Sequence, residues 1–161
     1  MQPVDYAIAE PAIIFRRKRS GRLLPWVFDP EIERVDFVSI STWSFLFGGM
    51  TEAIVIDARG RRWTATRPRL AGIHTKHYRG QSLLSQAAVF LIGIVLLNIS
   101  MKFRFLSVQE DKVTELEFRE FILSLLEGQR RGFTRAPEDE VRARILKRKT
   151  FRGMINAVLN P

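Results

Sequence analysis

Residues 82–101 carry no charge, and this stretch constrains the fold more than any other feature of the sequence. Apolar side chains would lie on every side of a helix built from it, which requires burial in a protein core or contact with lipid. A bilayer span needs roughly 20 mostly apolar residues, and the purely apolar part, Ala87–Leu97, is shorter than that. Basic residues flank both ends alike, so the distribution of positive charge indicates no orientation in a membrane. We therefore favour a buried core helix over Ser82–Leu96, with a membrane segment over Ser82–Met101, or a core strand, as the alternatives.

Alternating patterns on both sides of this stretch predict strands. In "EAIVIDARGRRWTAT" apolar and polar residues alternate around a turn, and Gly60 stands where a left-handed residue is needed. This pattern predicts a β-hairpin that ends at Pro68. Further strands are predicted over Ala12–Phe15, Leu23–Phe28, Phe37–Phe47 and Ile99–Val108. Pro25 would confine the second of these to a sheet edge.

Helical patterns dominate the last third of the chain. The segment "QEDKVTELEFREFILSLLEGQ" has an apolar stripe at helical spacing and stops at Gly128. Pro137 opens a second helix, in which Val141 and Ile145 would face inward, with Leu146 as a further candidate, and Thr150 can cap a third. One or two helical turns are predicted in "DPEIER", from Asp29. The sequence therefore predicts a single α+β domain over residues 1–161, strand-rich over 1–72 and helix-rich over 81–161. In this fold an N-terminal antiparallel sheet of hairpins would pack against the buried central helix and the C-terminal amphipathic helices.

The sequence contains no pattern typical of an enzyme. There is no cysteine, which excludes thiol chemistry, disulfides and cysteine-based zinc sites. The nucleotide-binding glycine motifs and the G-x-S-x-G nucleophile motif do not occur. The i, i+3 spacing of His74 and His77 would place both on one face of a helical turn, but two histidines are weak candidates for a metal site. We expect a non-enzymatic protein with no cofactor.

Charge is the main indication of a partner. The formal net charge is +9, and the basic excess is spread over both halves of the chain. Such an excess favours an acidic protein face, nucleic acid or a membrane surface. The predicted hairpin turns would expose cations and a neighbouring tryptophan to a partner. The candidate partner-binding residues are Arg17, Arg19, Arg22, Arg59, Arg61, Arg62 and Trp63. Aromatic side chains that would stack on bases are absent from the basic clusters themselves.

Two segments resemble small bacterial immunity proteins, the antitoxins that neutralise secreted toxins of competing cells. They are the hairpin "AIVIDARGRRWTA" and the helical pair "APEDEVRARILKRKTFRGMINAVL". The resemblance implies a bacterial protein without catalysis that binds one toxin, and a basic antitoxin would need a toxin with an acidic face. The N-terminus does not have the pattern of a signal peptide, so we expect a cytoplasmic location, with membrane association as the alternative. The leading hypothesis is a protein-binding module. The alternatives are a nucleic-acid-binding protein and a membrane-associated protein anchored by residues 82–101.

Overall fold

The computed structural model describes residues 6–29, 33–41, 49–74, 100–128 and 137–159. The strands in these ranges are β1 (Ile13–Arg17), β2 (Leu23–Val27), β3 (Phe37–Ser41), β4 (Glu52–Ile56), β5 (Arg61–His74) and β6 (Ser100–Lys112). The helices are α1 (Glu115–Gly128), α2 (Glu138–Lys147) and α3 (Phe151–Leu159). The predicted α+β class is confirmed.

The strands form one curled antiparallel sheet in the order β2-β1-β4-β5-β6-β3. The β4–β5 hairpin has the predicted form, because Ile56 pairs with Arg62 and Gly60 has a φ of +76°. The β1–β2 hairpin is also present, and β2 is an edge strand of the sheet, as Pro25 predicted. The β3 strand lies at the other edge, where it pairs with β6.

One face of the sheet, here called the helix face, is covered over β1 and β4 by the helices. Strand residues Ile13, Phe15, Ile54 and Ile56 pack there against apolar residues of all three helices. Those helix residues include Phe118, Ile122, Leu126, Val141, Ile145, Phe151, Met154, Ile155 and Val158. Most of the predicted apolar positions of the helices are therefore buried, but Leu146 is exposed, and the expectation that it faces inward is wrong.

The other face, here called the inner face, carries a second apolar cluster. Residues from five strands contribute to it, and Trp63 is its largest fully buried member. The cluster consists of Ala12, Ile14, Phe28, Val35, Val38, Met50, Ala53, Val55, Trp63, Ala65, Phe103 and Phe105. The curl of the sheet lets one face bury its own side chains, with Tyr6 and Ile8 of the N-terminal segment packed against them.

Local hydrogen bonds define two helix starts. At α1, the Thr114 hydroxyl accepts a bond from the Glu117 amide, and the Glu117 carboxylate accepts one from the Thr114 amide at 2.7 Å. This reciprocal pair is a capping box. The Thr150 hydroxyl caps α3, as predicted, by accepting a bond from the Gly153 amide. Because β6 continues to Lys112, Asp111 lies in a strand and not in the first turn of α1, which corrects the predicted start of that helix.

The β4–β5 pairing ends at Thr66, close to the end predicted at Pro68, but strand β5 itself does not end there. Strand β5 continues through Pro68 to His74, and Pro68 pairs with Phe105 of β6. Strand β4 pairs only with residues up to Thr66, so within the described residues β5 is paired on one side alone at Pro68. A proline is tolerated at such a position because no second ladder needs its missing N–H.

Three predictions fall on residues that the structure does not describe. They are the central helix over Ser82–Leu96, most of the helical turns after Asp29, and the predicted strand beyond Ser41. The strand predicted from Ile99 is present, since β6 begins at Ser100 and its Phe103 and Phe105 point inward. The single-domain organisation remains a prediction.

Candidate functional site

The β1–β2 hairpin combines several predicted basic residues at one edge of the sheet. Its turn is closed by hydrogen bonds from the Lys18 amide to the Arg22 carbonyl at 2.8 Å and from the Gly21 amide to the Lys18 carbonyl at 2.9 Å. Gly21 has a φ of +84°, which glycine adopts without strain. Arg19 and Arg22 are therefore exposed at the tip of a well-defined turn.

The backbone edge of β2 is poorly suited to pairing with another strand. The bonds from Lys18 to Arg22 and from Phe28 to Ala12 show which residues of the ladder exchange hydrogen bonds. In an antiparallel pair only every second residue of β2 bonds to β1, and Pro25, which lies opposite Phe15, is one of the residues that do not. Its nitrogen therefore faces away from β1, where an added strand would need an N–H donor. A proline at this position protects the edge against strand addition, so the side chains are left as the means of recognition.

Three cations and two apolar side chains lie in one row on the inner-face side of this hairpin. Cross-strand pairing places Arg16 beside Leu24 and Ile14 beside Trp26. Lys18 and Arg22 are joined by the turn hydrogen bond one step further along, so they continue the same row. Trp26 is 46% exposed, which is unusual for so large an apolar side chain. We call this set the hairpin surface: Arg16, Lys18, Arg22, Leu24 and Trp26.

A shallow notch of about 60 Å³ opens on the hairpin surface. Its wall is formed by Arg16, Leu24 and Trp26, together with Met50 from the segment before β4. The Arg16 guanidinium carbon lies 5.1 Å from the centre of the Trp26 ring, in a cation–π contact. This contact holds the indole in place beside the cations.

The cation beneath Trp26 is partly buried. Arg16 forms an ion pair with Glu33, which is only 5% exposed. Burial lowers the pKa of Arg16 and raises the pKa of Glu33, and in each case their mutual attraction opposes the effect of burial. Among the described residues, Arg16 Nε and Glu33 Oε2 have no hydrogen-bond partner. Arg16 is thus held between Glu33 and the Trp26 ring.

The predicted partner-binding residues have different roles in the structure. Arg17 pairs with Glu52, Arg61 with Asp57 and Arg62 with Asp111. Trp63 is 1% exposed and lies in the inner-face cluster, so the expectation that it anchors a partner is corrected. Burial was not visible in the strand alternation, because it depends on which face the rest of the chain covers. Arg19, Arg22 and Arg59 are exposed, as predicted.

The β4–β5 turn is built around a buried carboxylate that the sequence pattern did not indicate. Asp57 is fully buried, and its Oδ1 accepts hydrogen bonds from the amides of Arg59 and Arg61. Its Oδ2 accepts bonds from the Ala9 amide and from Arg61 Nε, each at 3.1 Å. The Arg61 guanidinium also lies 5.0 Å from the centre of the Trp63 ring. Arg61 is therefore part of the turn and of its contact with the N-terminal segment.

A cleft of about 330 Å³ lies where α1 begins, beside β5 and β6. Ile54, Phe118 and Phe121 are among its apolar walls, and Asp111 and Glu117 are among its polar groups. The pKa of Glu117 is lowered chiefly by the hydrogen bond from the Thr114 amide. The pKa of Asp111 is lowered chiefly by the bond from the Lys112 amide. Both carboxylates are therefore ionised at neutral pH and engaged in local structure, which does not suit either for proton donation.

The remaining candidates concern metals and membranes. His74 is the last residue of β5, and His77 lies outside the described residues. Within the described ranges, no three acidic or histidine side chains come together to bind a metal ion. Among the helices described, none has the length and apolar character needed to cross a bilayer.

Comparisons with known proteins found no match to this chain among family models, curated proteins or solved structures. The candidate site is therefore defined by its geometry alone.

Proposed function

We propose that the chain is a non-enzymatic protein-binding module that uses the hairpin surface to recognise an acidic face of its partner. One observation carries the proposal: the half-exposed Trp26 lies against Arg16, in the same row as Lys18 and Arg22. Tryptophan and arginine are the residues most often found to dominate binding energy in protein interfaces.

The energetic logic is that Trp26 supplies the apolar contact and the cations supply orientation. Burying the remaining surface of an indole is favourable without regard to partner sequence. The cations around it select against basic partners and accelerate association with acidic ones. Because Arg16 is held by Glu33 and stacked on Trp26, the two side chains at the centre lose little freedom when a partner binds.

A toxin with an acidic surface is the partner that the resemblance to immunity proteins suggests. This narrower proposal rests on the quoted segments of the sequence and not on the hairpin surface. It is tested separately, by co-expressing the chain with a toxin encoded beside it and measuring survival of the cells. Survival that does not depend on the chain would remove the immunity proposal and leave the binding proposal standing.

The hairpin surface is tested by affinity capture from the native host with three forms of the full chain: the wild type, W26A and the control L146A. Leu146 is also large, apolar and exposed, but it lies on α2, away from the hairpin. We expect a protein captured by the wild type and by L146A to be lost with W26A. In a titration with that partner, W26A should weaken binding by roughly 30-fold, the loss typical of a dominant interface residue.

A charge reversal tests the second half of the proposal. The variant R22E should weaken binding to the same partner and reduce the association rate, whereas R59E, on the β4–β5 turn, should leave both unchanged. Equal losses with R22E and R59E would show that binding depends on net charge alone. Capture of nucleic acid in place of protein, with strongly salt-dependent binding, would contradict the proposal in favour of a nucleic-acid-binding protein.

A further inference from the structure

The far end of the β5–β6 strand pair carries a second basic surface that the proposed function does not use. Phe103 of β6 is buried in the inner-face cluster, so Lys102 and Arg104 on either side of it face the opposite side of the sheet. Residues directly opposite each other on neighbouring strands share a face. Arg69 of β5 and Phe37 of β3 both pair with Arg104 and therefore accompany it. We call this set the arm surface: Phe37, Arg69, Lys102 and Arg104.

The helices leave this part of the sheet open. The apolar cluster on the helix face contains no described residue of β3, β5 or β6. Arg69 is exposed, the Arg104 side chain is 51% exposed, and Phe37 and Lys102 are half-buried. Gly72 pairs with Lys102, and a Cβ added to Gly72 would meet no atom within 4 Å, so there is open space on that strand. The arm surface is therefore a sheet face that a ligand can reach.

Positive charge on the arm surface is concentrated and only partly neutralised. Arg69 and Arg104 lie directly opposite each other, a placement that destabilises a sheet when no anion is close. The Asp36 carboxylate is 4.0 Å from Arg104 Nε, and it also contacts Arg34 at 3.2 Å. Within the described part of the chain, neither Arg69 nor Lys102 forms an ion pair. Because an anionic ligand would relieve this repulsion, the charges favour a ligand with several negative groups.

An aromatic ring lies among these cations. The Lys102 ammonium nitrogen is 5.5 Å from the centre of the Phe37 ring, and Arg104 lies beside Phe37 on the neighbouring strand. The basic clusters of the sequence lack such a ring, and the pairing of β3 with β6 supplies it here. The lysine stem is flexible, so the ammonium can move from the ring to a phosphate when a base stacks on Phe37. Proteins bind single strands by this combination of aromatic stacking and backbone contacts.

We propose that the arm surface binds single-stranded nucleic acid. From Phe37 to Arg69 it spans three neighbouring strands, about 10 Å, which is room for roughly two or three bases laid on a sheet. Duplex phosphates would be matched by the cations alone and would leave the Phe37 ring without a role. A protein interface needs an apolar core, and the arm surface has a single apolar side chain. The proposal does not rest on the hairpin surface, because nucleic acid would be bound in addition to a partner protein.

The test uses the full chain and a fluorescein-labelled oligothymidylate of about 12 nucleotides, with fluorescence anisotropy measured at several salt concentrations. The double variant R69Q/R104Q removes two charges from the arm surface, and F37L removes the ring but keeps an apolar side chain. The control R59Q/K149Q removes two exposed charges, one on the β4–β5 turn and one between α2 and α3. Thermal unfolding followed by circular dichroism verifies that each variant is folded.

The charge variant and the ring variant should differ in their response to salt. We expect R69Q/R104Q to weaken binding and to reduce the slope of log association constant against log salt concentration by about 1.4, or about 0.7 for each lost phosphate contact. F37L should weaken binding by roughly tenfold and leave this slope unchanged, because it removes stacking and no charge. The control R59Q/K149Q should change both quantities far less. W26A should bind the oligonucleotide like the wild type, which separates this proposal from that of the hairpin surface.

Four outcomes would overturn the proposal. Equal losses in R69Q/R104Q and in the control would show that binding depends on net charge alone. Wild-type affinity in F37L would show that the ring does not stack on a base and would leave contact with phosphates of a duplex as the explanation. Sedimentation with phosphatidylglycerol vesicles, without binding to the oligonucleotide, would assign the arm surface to a membrane. Loss of a captured protein upon R69Q/R104Q, again without binding to the oligonucleotide, would assign it to a protein interface.

Discussion

Gly60 is the point where the β4–β5 turn, α3 and the end of β6 meet, and replacing it with alanine tests how closely they are packed. The Gly60 carbonyl accepts a hydrogen bond from the Val113 amide at 2.9 Å, so the turn also fixes the chain between β6 and α1. A Cβ added at this position would lie 2.5 Å from Phe151 Cζ and 2.8 Å from the Val113 carbonyl oxygen. Neither neighbour is free to withdraw, since Phe151 is part of the core and Val113 O is backbone.

The expected loss has two parts. A positive φ at a residue other than glycine costs about 1–2 kcal/mol. Forcing a methyl group into packed surroundings adds about 1–3 kcal/mol. G60A should therefore lower the free energy of unfolding by about 2–5 kcal/mol, which is a large share of the stability of an ordinary domain. Urea denaturation followed by far-ultraviolet circular dichroism measures this difference.

A matched control separates the two parts. Gly21 has a similar φ of +84°, but a Cβ there meets no atom within 4 Å. G21A should therefore lose only the conformational part, about 1–2 kcal/mol. In the double variant G60A/F151L the leucine lacks the ring atoms that the new methyl group would meet. Its loss should be smaller than the sum of the single losses by about 1 kcal/mol. Equal losses for G60A and G21A would refute the close packing described here.

Two further predictions concern carboxylates of the fold. Asp57 is buried and accepts four hydrogen bonds. D57N turns one acceptor into a donor, so it should lower the free energy of unfolding, measured by urea denaturation, by about 3 kcal/mol. A loss below about 1 kcal/mol would contradict the role of Asp57 in the turn. The pKa of Glu117 is lowered in the folded state from an ordinary value of 4.5, so its stabilising contribution is present above that pH and is lost as the pH falls below it. E117Q should therefore lose less stability than the wild type between neutral pH and about pH 3. The control E120Q, on the same helix but outside the capping box, should lose as much as the wild type. Identical acid profiles for E117Q and the wild type would show that the capping box does not contribute to the pH dependence of stability.

The local features of the fold were predictable because they depend on neighbours in the sequence. The alternation around Gly60 and the need for a positive φ in a short turn determined the β4–β5 hairpin. The position of Pro25 identified β2 as an edge strand, and Thr150 identified the start of α3. The sequence pattern alone does not separate the exposed Trp26 from the buried Trp63.

The candidate sites depended on pairings between distant residues. Arg16 meets Glu33, Arg62 meets Asp111, and Arg69 comes to lie opposite Arg104, each through sheet contacts that no local pattern contains. Strand β5 continues past Pro68 because β6 pairs with it there.

By itself the sequence determined the class of fold, the two hairpin turns and the start of α3, since these follow from the conformational preferences of adjacent residues. Only the tertiary structure decided which cations are used in ion pairs and which remain exposed. Burial and charge neutralisation are properties of surfaces, and a surface exists only after distant segments have packed together.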